Sequence, residues 1–324
     1  MGPDIGLQLP CRLPPSRLVA LARDAEHAGF DEVWIVEDCF YAGGVATAAS
    51  VLAATERVVV GIGILPTVVR NAAFTAMELA ALADLHPRRL IAGLGHGMRD
   101  WMRQVGAAPA SPLTALAEHL DAVRALLAGE TVTVQGRYVR LDGVRLEFPP
   151  EAVPPVLAGV RGPKSLEVSG RHADGTLLAE PASPAYITAA RRAIAEGHTD
   201  PRRPHRLAAY TWFHVGEDLD EARDALRPAI AAAVTDPAWA AHLEPLGYAG
   251  QARELADLPE EERAGALPDA WIDELAVVGT PRDCAARIGE LYRAGADAVV
   301  LLPGPDTAGQ LARAGADLLP LLRS

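Results

Sequence analysis

The densest chemistry in the chain lies in residues 154–179, PPVLAGVRGPKSLEVSGRHADGTLLA. Val156, Leu157 and Ala158 form a short apolar run after two prolines, as a buried parallel strand does. Residues 159–162 follow as a loop. Pro163 suits the first helical position, where its missing N–H costs nothing, and Lys164 and Ser165 fall in the first turn. Backbone N–H groups bared between Gly159 and Gly162, at the positive end of a helix, bind anions. Arg161 and Lys164 add positive charge. Lys164 is the one lysine in the chain, and a compact ammonium at a helix start is a phosphate partner. On these residues alone, an anion site and an ordinary glycine-capped strand-to-helix turn stand level.

Other reactive side chains recur just after short apolar runs. Glu37 and Asp38 follow EVWIV. A carboxylic acid in an apolar pocket has a raised pKa and can donate a proton; the same pair also reads as a cap or an ion-pair anchor. Gly63 and Ile64 close RVVVGIGI, and His96 sits between Gly95 and Gly97 after LIAGL. His96 suits a place beside a bound group, or a helix cap. Glu180 reads equally as a substrate contact or as the opening of a Glu-Pro turn. Trp101 and Trp212 suit a pocket wall, and Cys39 an inert thiol. Glycines at several strand ends let something flat approach the backbone. There is no clustered His/Cys/Asp set for a metal, and neither GxSxG nor HExxH. A flat cofactor with a phosphate tail fits these residues better than a metal or a serine nucleophile.

The elements that must position them alternate. Strand patterns at 4–9, 32–36, 57–64, 90–94, 156–158, the GTLLA run, 206–215 and 298–302 are separated by helical patterns of crossover length. Short apolar strands with helical crossovers imply a parallel sheet, and eight such units close into a (β/α)8 TIM barrel whose chemistry collects at the carboxyl ends of the strands. An open doubly wound sheet is the alternative. Against it, GLGHG follows the fourth strand and lacks the third spaced glycine of a dinucleotide site. One domain is expected over 1–324. Within it, 130–148 reads as an antiparallel insertion, with alternating residues and turns at Gln135-Gly136 and Asp142-Gly143. The acidic, proline-containing stretch 236–274 reads as a helical insertion or lid.

Composition narrows the partners. The net charge is −12 and the pI about 5.2, which argues against nucleic acid and anionic membranes, since a phosphate backbone needs a basic face. A small-molecule substrate is the expected partner. Cys11, Cys39 and Cys284 are widely spaced and odd in number, so neither a disulfide framework nor a zinc site is expected. The N-terminus lacks a signal-peptide pattern and no stretch is apolar enough to span a bilayer; a cytoplasmic protein is expected.

Five runs, FDEVWIVEDCF, TERVVVGIGILPTVVRN, LIAGLGHG, VLAGVRGPKSLEVSGRHADG and VVGTPRDCAARI, resemble the luciferase-like flavin or deazaflavin oxidoreductases, most closely the coenzyme F420-dependent, methylenetetrahydromethanopterin reductase-like branch. The resemblance covers nearly the whole chain. It implies F420 as cofactor, with FMN as the alternative, and hydride transfer to or from an organic substrate. It implies a non-prolyl cis peptide at Gly63-Ile64 whose bulge supports the cofactor ring. Gly95, His96 and Gly97 match the stretch beside the ring, and Gly159, Arg161, Gly162, Pro163, Lys164 and Ser165 the phosphate loop. Glu37 and Asp38 match the family's adjacent aspartate and histidine. This is a departure: if that histidine donates a proton in relatives, this chain uses another group or a different reaction. A homodimer is implied by the family alone. The FMN alternative would be a two-component monooxygenase fed by a separate flavin reductase, and a non-catalytic flavin-binding protein is a further alternative.

Overall fold

In the computed structural model, which describes residues 2–200 and 202–323, eight parallel strands close into a ring. They are β1 (Asp4–Leu9), β2 (Glu32–Ile35), β3 (Val59–Pro66), β4 (Leu90–Gly95), then, after the hairpin of β5 (Val132–Gln135) and β6 (Arg140–Val144), β7 (Val156–Gly159), β8 (Gly175–Leu178), β9 (Arg206–Val215) and, beyond β10 (Ala276–Gly279), β11 (Ala298–Pro303). The ring order is β1-β2-β3-β4-β7-β8-β9-β11, and β11 pairs back onto β1. This is the expected (β/α)8 barrel, with all eight expected strands in it.

β10 was not among the expected strands. It exists because β9 is ten residues long and β8 only four. β8 pairs with residues 206–209 of β9 and stops. The remaining edge of β9 would leave backbone groups unpaired, and β10 fills it, Ala276 opposite Trp212 and Gly279 opposite Val215.

Helix ends follow local chemistry. Proline opens the helices Pro15–Ala28, Pro112–Leu127, Pro163–His172, Pro184–Gly197 and Pro281–Ala294. The last also carries a capping box between Thr280 and Asp283. The Glu37 carboxylate accepts the Gly44 N–H across the chain at 2.6 Å, at the first residue of the helix Gly44–Ala54.

Apolar residues sort into three clusters. The main one lies between ring and helices. A second fills the barrel with Trp34, Ile91, Leu157, Leu177 and Tyr210. At the amino-terminal end this plug is sealed by Glu32, which accepts from Trp34 Nε1 and pairs with Arg206. The third cluster belongs to the expected helical insertion. Leu243, Trp271, Ile272 and Leu275 pack on the helix Leu219–Val234, and the ion pairs Arg223–Asp273 and Arg227–Asp269 tie the two together. The β5–β6 hairpin is held to the barrel by Glu118, which accepts the N–H groups of Arg137, Tyr138 and Val139.

Candidate active site

Because the ring strands run parallel, the carboxyl ends of β2, β3, β4, β7, β8 and β9 share one rim. The Gly63–Ile64 peptide there is cis, and the β3–β4 register slips between Ile62 and Leu65. Two further cis peptides, Cys39–Phe40 and Glu180–Pro181, lie at the same rim. Ile64 is carried against β4 and β7. A Cβ on Gly159 would lie 2.3 Å from Ile64 Cγ2, and one on Gly95 would lie 2.9 Å from Ile64 Cγ1. These glycines therefore make room for Ile64. The half-buried Ile64 side chain is thereby held at the rim.

Tyr210 reaches the same floor from β9. A Cβ on Gly63 would lie 2.3 Å from its hydroxyl. Its ring is 3% exposed and meets Trp34 edge-on. Among the described residues the buried hydroxyl has no hydrogen-bond partner, which costs roughly 1–3 kcal/mol where nothing compensates.

Three carboxylates occupy the rim in different circumstances. Glu37 accepts two bonds from Arg70, at 2.6 and 2.7 Å, besides the Gly44 N–H. Among the described residues, the Asp38 carboxylate accepts only the Cys11 thiol, at 3.4 Å. Burial raises the Asp38 pKa against the opposing pull of Cys11 and Arg12, and burial together with Asp38 pushes the Cys11 thiol up to about 12. A hollow of about 380 Å³ lined by Cys11, Arg12, Leu13 and Tyr41 opens beside this pair. Glu180 has no side-chain partner among the described residues. Burial pushes its pKa up to about 7, with its own backbone N–H and Arg161 opposing and Asp38 adding to the rise.

Across the rim, the helix Pro163–His172 begins at Gly162 with no side chain capping it, so its first-turn N–H groups are open. His96 Nε2 lies 3.1 Å from Ser165 Oγ. Burial and the Arg161 charge lower the His96 pKa, against the Pro112 carbonyl, and so hold the imidazole neutral. The Arg161 guanidinium lies over the Trp239 ring, 4.1 Å from its centroid. Among the described residues no carboxylate is within ion-pair reach of it. Trp239 belongs to the helical insertion, which is stapled to the rim: Trp239 Nε1 donates to the Glu180 carbonyl at 2.5 Å, and His242 Nδ1 to that of Pro181 at 2.9 Å. His242 stacks on Tyr186, whose hydroxyl donates to the Arg161 carbonyl.

A family model described as luciferase-like monooxygenase matches residues 4–298. The chain belongs to the luciferase-like monooxygenase family. It is 32% identical over 297 residues to 5,10-methylenetetrahydromethanopterin reductase of Methanolobus tindarius, covering 89% of this chain and 90% of that one. It is 29% identical over 338 residues to F420-dependent glucose-6-phosphate dehydrogenase of Nakamurella multipartita, covering 96% and 93%. Its fold is similar to that of coenzyme F420-dependent tetrahydromethanopterin reductase from Methanopyrus kandleri, with a TM-score of 0.87 at 23% identity over 99% of this chain and 100% of that one. The protein is an oxidoreductase of this family.

Within the luciferase-like frame, the structure brings together Gly63, Ile64, Gly95 and Gly159 as a floor. It brings together His96, Arg161, Gly162, Pro163 and Ser165 as one flank. Lys164 is exposed in the first turn of that flank's helix. Asp38 and Glu180 couple electrostatically across the mouth. Glu37 stands apart: its carboxylate is taken up by Arg70 and Gly44, which ties the β2 end to the next helix. Trp101 is half-buried on the short helix Arg99–Gln104, and Trp212 lies between the barrel interior and the insertion cluster. The sequence reading missed Tyr210, Trp239 and Arg70. Tyr210 had a signal, since period-2 alternation puts it on one face of β9 with Ala208 and Trp212. Trp239 and Arg70 had none. Among the described residues, no group of His, Cys, Asp and Glu is placed to hold a metal, and no helix is long and apolar enough to cross a membrane.

Proposed function

We propose that this protein is a coenzyme F420-dependent oxidoreductase that passes a hydride between the deazaflavin and a small organic substrate. The observation that carries the reading is the flank at β7. An uncapped helix N-terminus stands beside a half-buried arginine that has no carboxylate within ion-pair reach among the described residues, next to a rim whose floor is Ile64 on its glycine bed. Such a flank takes a phosphate, and the floor backs a flat ring. The name of the Nakamurella multipartita relative, an F420-dependent glucose-6-phosphate dehydrogenase, favours F420 over FMN.

When bound, the cofactor supplies the hydride chemistry. The chain's own residues do the rest. First-turn amides after Gly162, with Arg161 and Lys164, would hold the phosphate. Ile64 would fix the ring plane. The neutral His96, bonded to Ser165, would shape the ring's polar edge without adding charge. Asp38 and Glu180, coupled electrostatically at the ends of opposite strands, would supply the ionisable oxygens. Insertion residues around Trp239 close one wall against water.

Fluorescence titration of the purified chain with F420 and with FMN tests the reading. Saturable F420 binding that weakens about tenfold or more in Arg161→Ala is the expected result. Tight FMN binding without an F420 response would reject it in favour of the monooxygenase alternative.

A further inference from the structure

We propose that Glu180 is the catalytic proton-exchanging group of this mouth. The inference rests on the oxidoreductase reading above. Each other candidate is occupied or weakly placed. Glu37 spends its oxygens on Arg70 and Gly44. His96 is bonded to Ser165 and lies in the field of Arg161. Asp38 accepts the Cys11 thiol.

Glu180 is held differently. Its carbonyl is bonded by Trp239 and the next carbonyl by His242, so the insertion clamps its backbone, while its carboxyl has among the described residues no partner besides its own backbone N–H. It stands at the end of β8, which is four steps around the ring from β2 in either direction. Asp38, at the end of β2, therefore faces it across the mouth. Both carboxyls act on the Tyr210 hydroxyl, which lies beneath, buried and unpartnered. Three oxygen acids carried by different strands thus lie within electrostatic reach of one another.

The groups facing Glu180 explain its protonation. Arg161 favours its charged form, and Asp38 opposes it. Asp236 acts on Arg161 from the insertion, as does Tyr186 from the helix after β8. Burial holds His242 neutral, with a pKa pushed down to about 3, so it adds no positive charge. A carboxyl that titrates near neutrality suits acid and base work in turn.

The step balances as follows. A substrate with a polar C=O or C=N bond accepts a hydride at carbon, two electrons and one hydrogen, from the reduced deazaflavin. The π pair moves to the heteroatom, which takes the proton from the Glu180 carboxyl. The carboxylate regains a proton from solvent. Oxidation of the corresponding alcohol or amine runs the same steps in reverse.

The test begins on the cofactor-free chain. A native-state pKa raised to about 7 means the folded protein keeps a proton that the unfolded chain loses near 4.5. Glu180 therefore costs stability progressively as pH rises from about 4.5 to 7. The melting temperature of Glu180→Gln should match wild type at pH 5 and exceed it above pH 7. Asp38→Asn should move the wild-type transition to lower pH. F420 affinity, read by fluorescence, should be unchanged in Glu180→Gln. If wild type itself fails to bind F420, the function reading falls and the titration still stands or fails alone. With reduced F420 and a panel of small ketones and imines, kcat in Glu180→Gln should fall about 10²- to 10⁴-fold. Melting curves that run parallel at every pH, or turnover within about threefold of wild type, would overturn the assignment.

Discussion

Replacing Glu37 by Gln separates a tether from a catalyst. Oε2 accepts both the Gly44 N–H and Arg70 Nη2, and Oε1 accepts Arg70 Nη1. A glutamine amide keeps one acceptor and turns an NH2 toward a guanidinium that can only donate. One bond is lost, the other two lose their charge, and the carboxylate no longer faces the positive start of the helix Gly44–Ala54. Charge-assisted bonds contribute about 1.5–3 kcal/mol each when intact. The pair is only partly shielded, with side chains 24% and 13% exposed, so about 2–3 kcal/mol in total is the expected loss. An unfolding entropy of about 2.1 cal/mol/K per residue makes that a melting-temperature drop of roughly 4 °C in a chain of this length. Differential scanning calorimetry at pH 7.5 reads it. Arg70→Gln should cost at least as much, and the double variant less than the two together. F420 affinity should stay close to wild type in Glu37→Gln. An unchanged melting temperature alongside a large loss of turnover would refute the tether and restore Glu37 to the chemistry.

Two further outcomes follow from the same geometry. Gly159→Ala puts a Cβ 2.3 Å from Ile64 Cγ2, whereas Gly162→Ala meets nothing within 4 Å; the first should cost about 1–3 kcal/mol by overpacking and the second almost nothing, as urea melts would show, and equal losses would mean that Ile64 is not seated on that glycine. His205 and His242 have pKa values pushed down by burial to about 4 and about 3, so the unfolded chain binds protons near pH 6.5 that the folded chain refuses. Stability should fall as pH drops from about 6.5 toward 4, by roughly 3 kcal/mol for each histidine. Circular-dichroism melts between pH 7.5 and 4.5 should show a flatter decline in His205→Asn and His242→Gln, and identical slopes in all three proteins would remove both histidines from the account.

The amino-acid sequence determined on its own whatever rests on neighbours in the chain. Apolar runs of strand length, helical crossovers between them and prolines at helix starts specify the eight-unit ring. The alternation of 130–148 specifies the hairpin, and glycines around Arg161 with Pro163 behind them specify an open helix start. Each is a local backbone preference, readable within about ten residues. The jobs of the side chains were a tertiary matter. Glu37, Asp38 and Glu180 all look alike in sequence, as carboxylates after apolar strands. What divides them is Arg70, 33 residues from Glu37, Cys11, 27 from Asp38, and Trp239, 59 from Glu180. β10 was likewise hidden, because the need for it is set by how far β9 outruns β8 in space. A carboxyl's proton affinity depends on its burial and on the charges around it, and those are properties of the closed barrel that no stretch of chain carries alone.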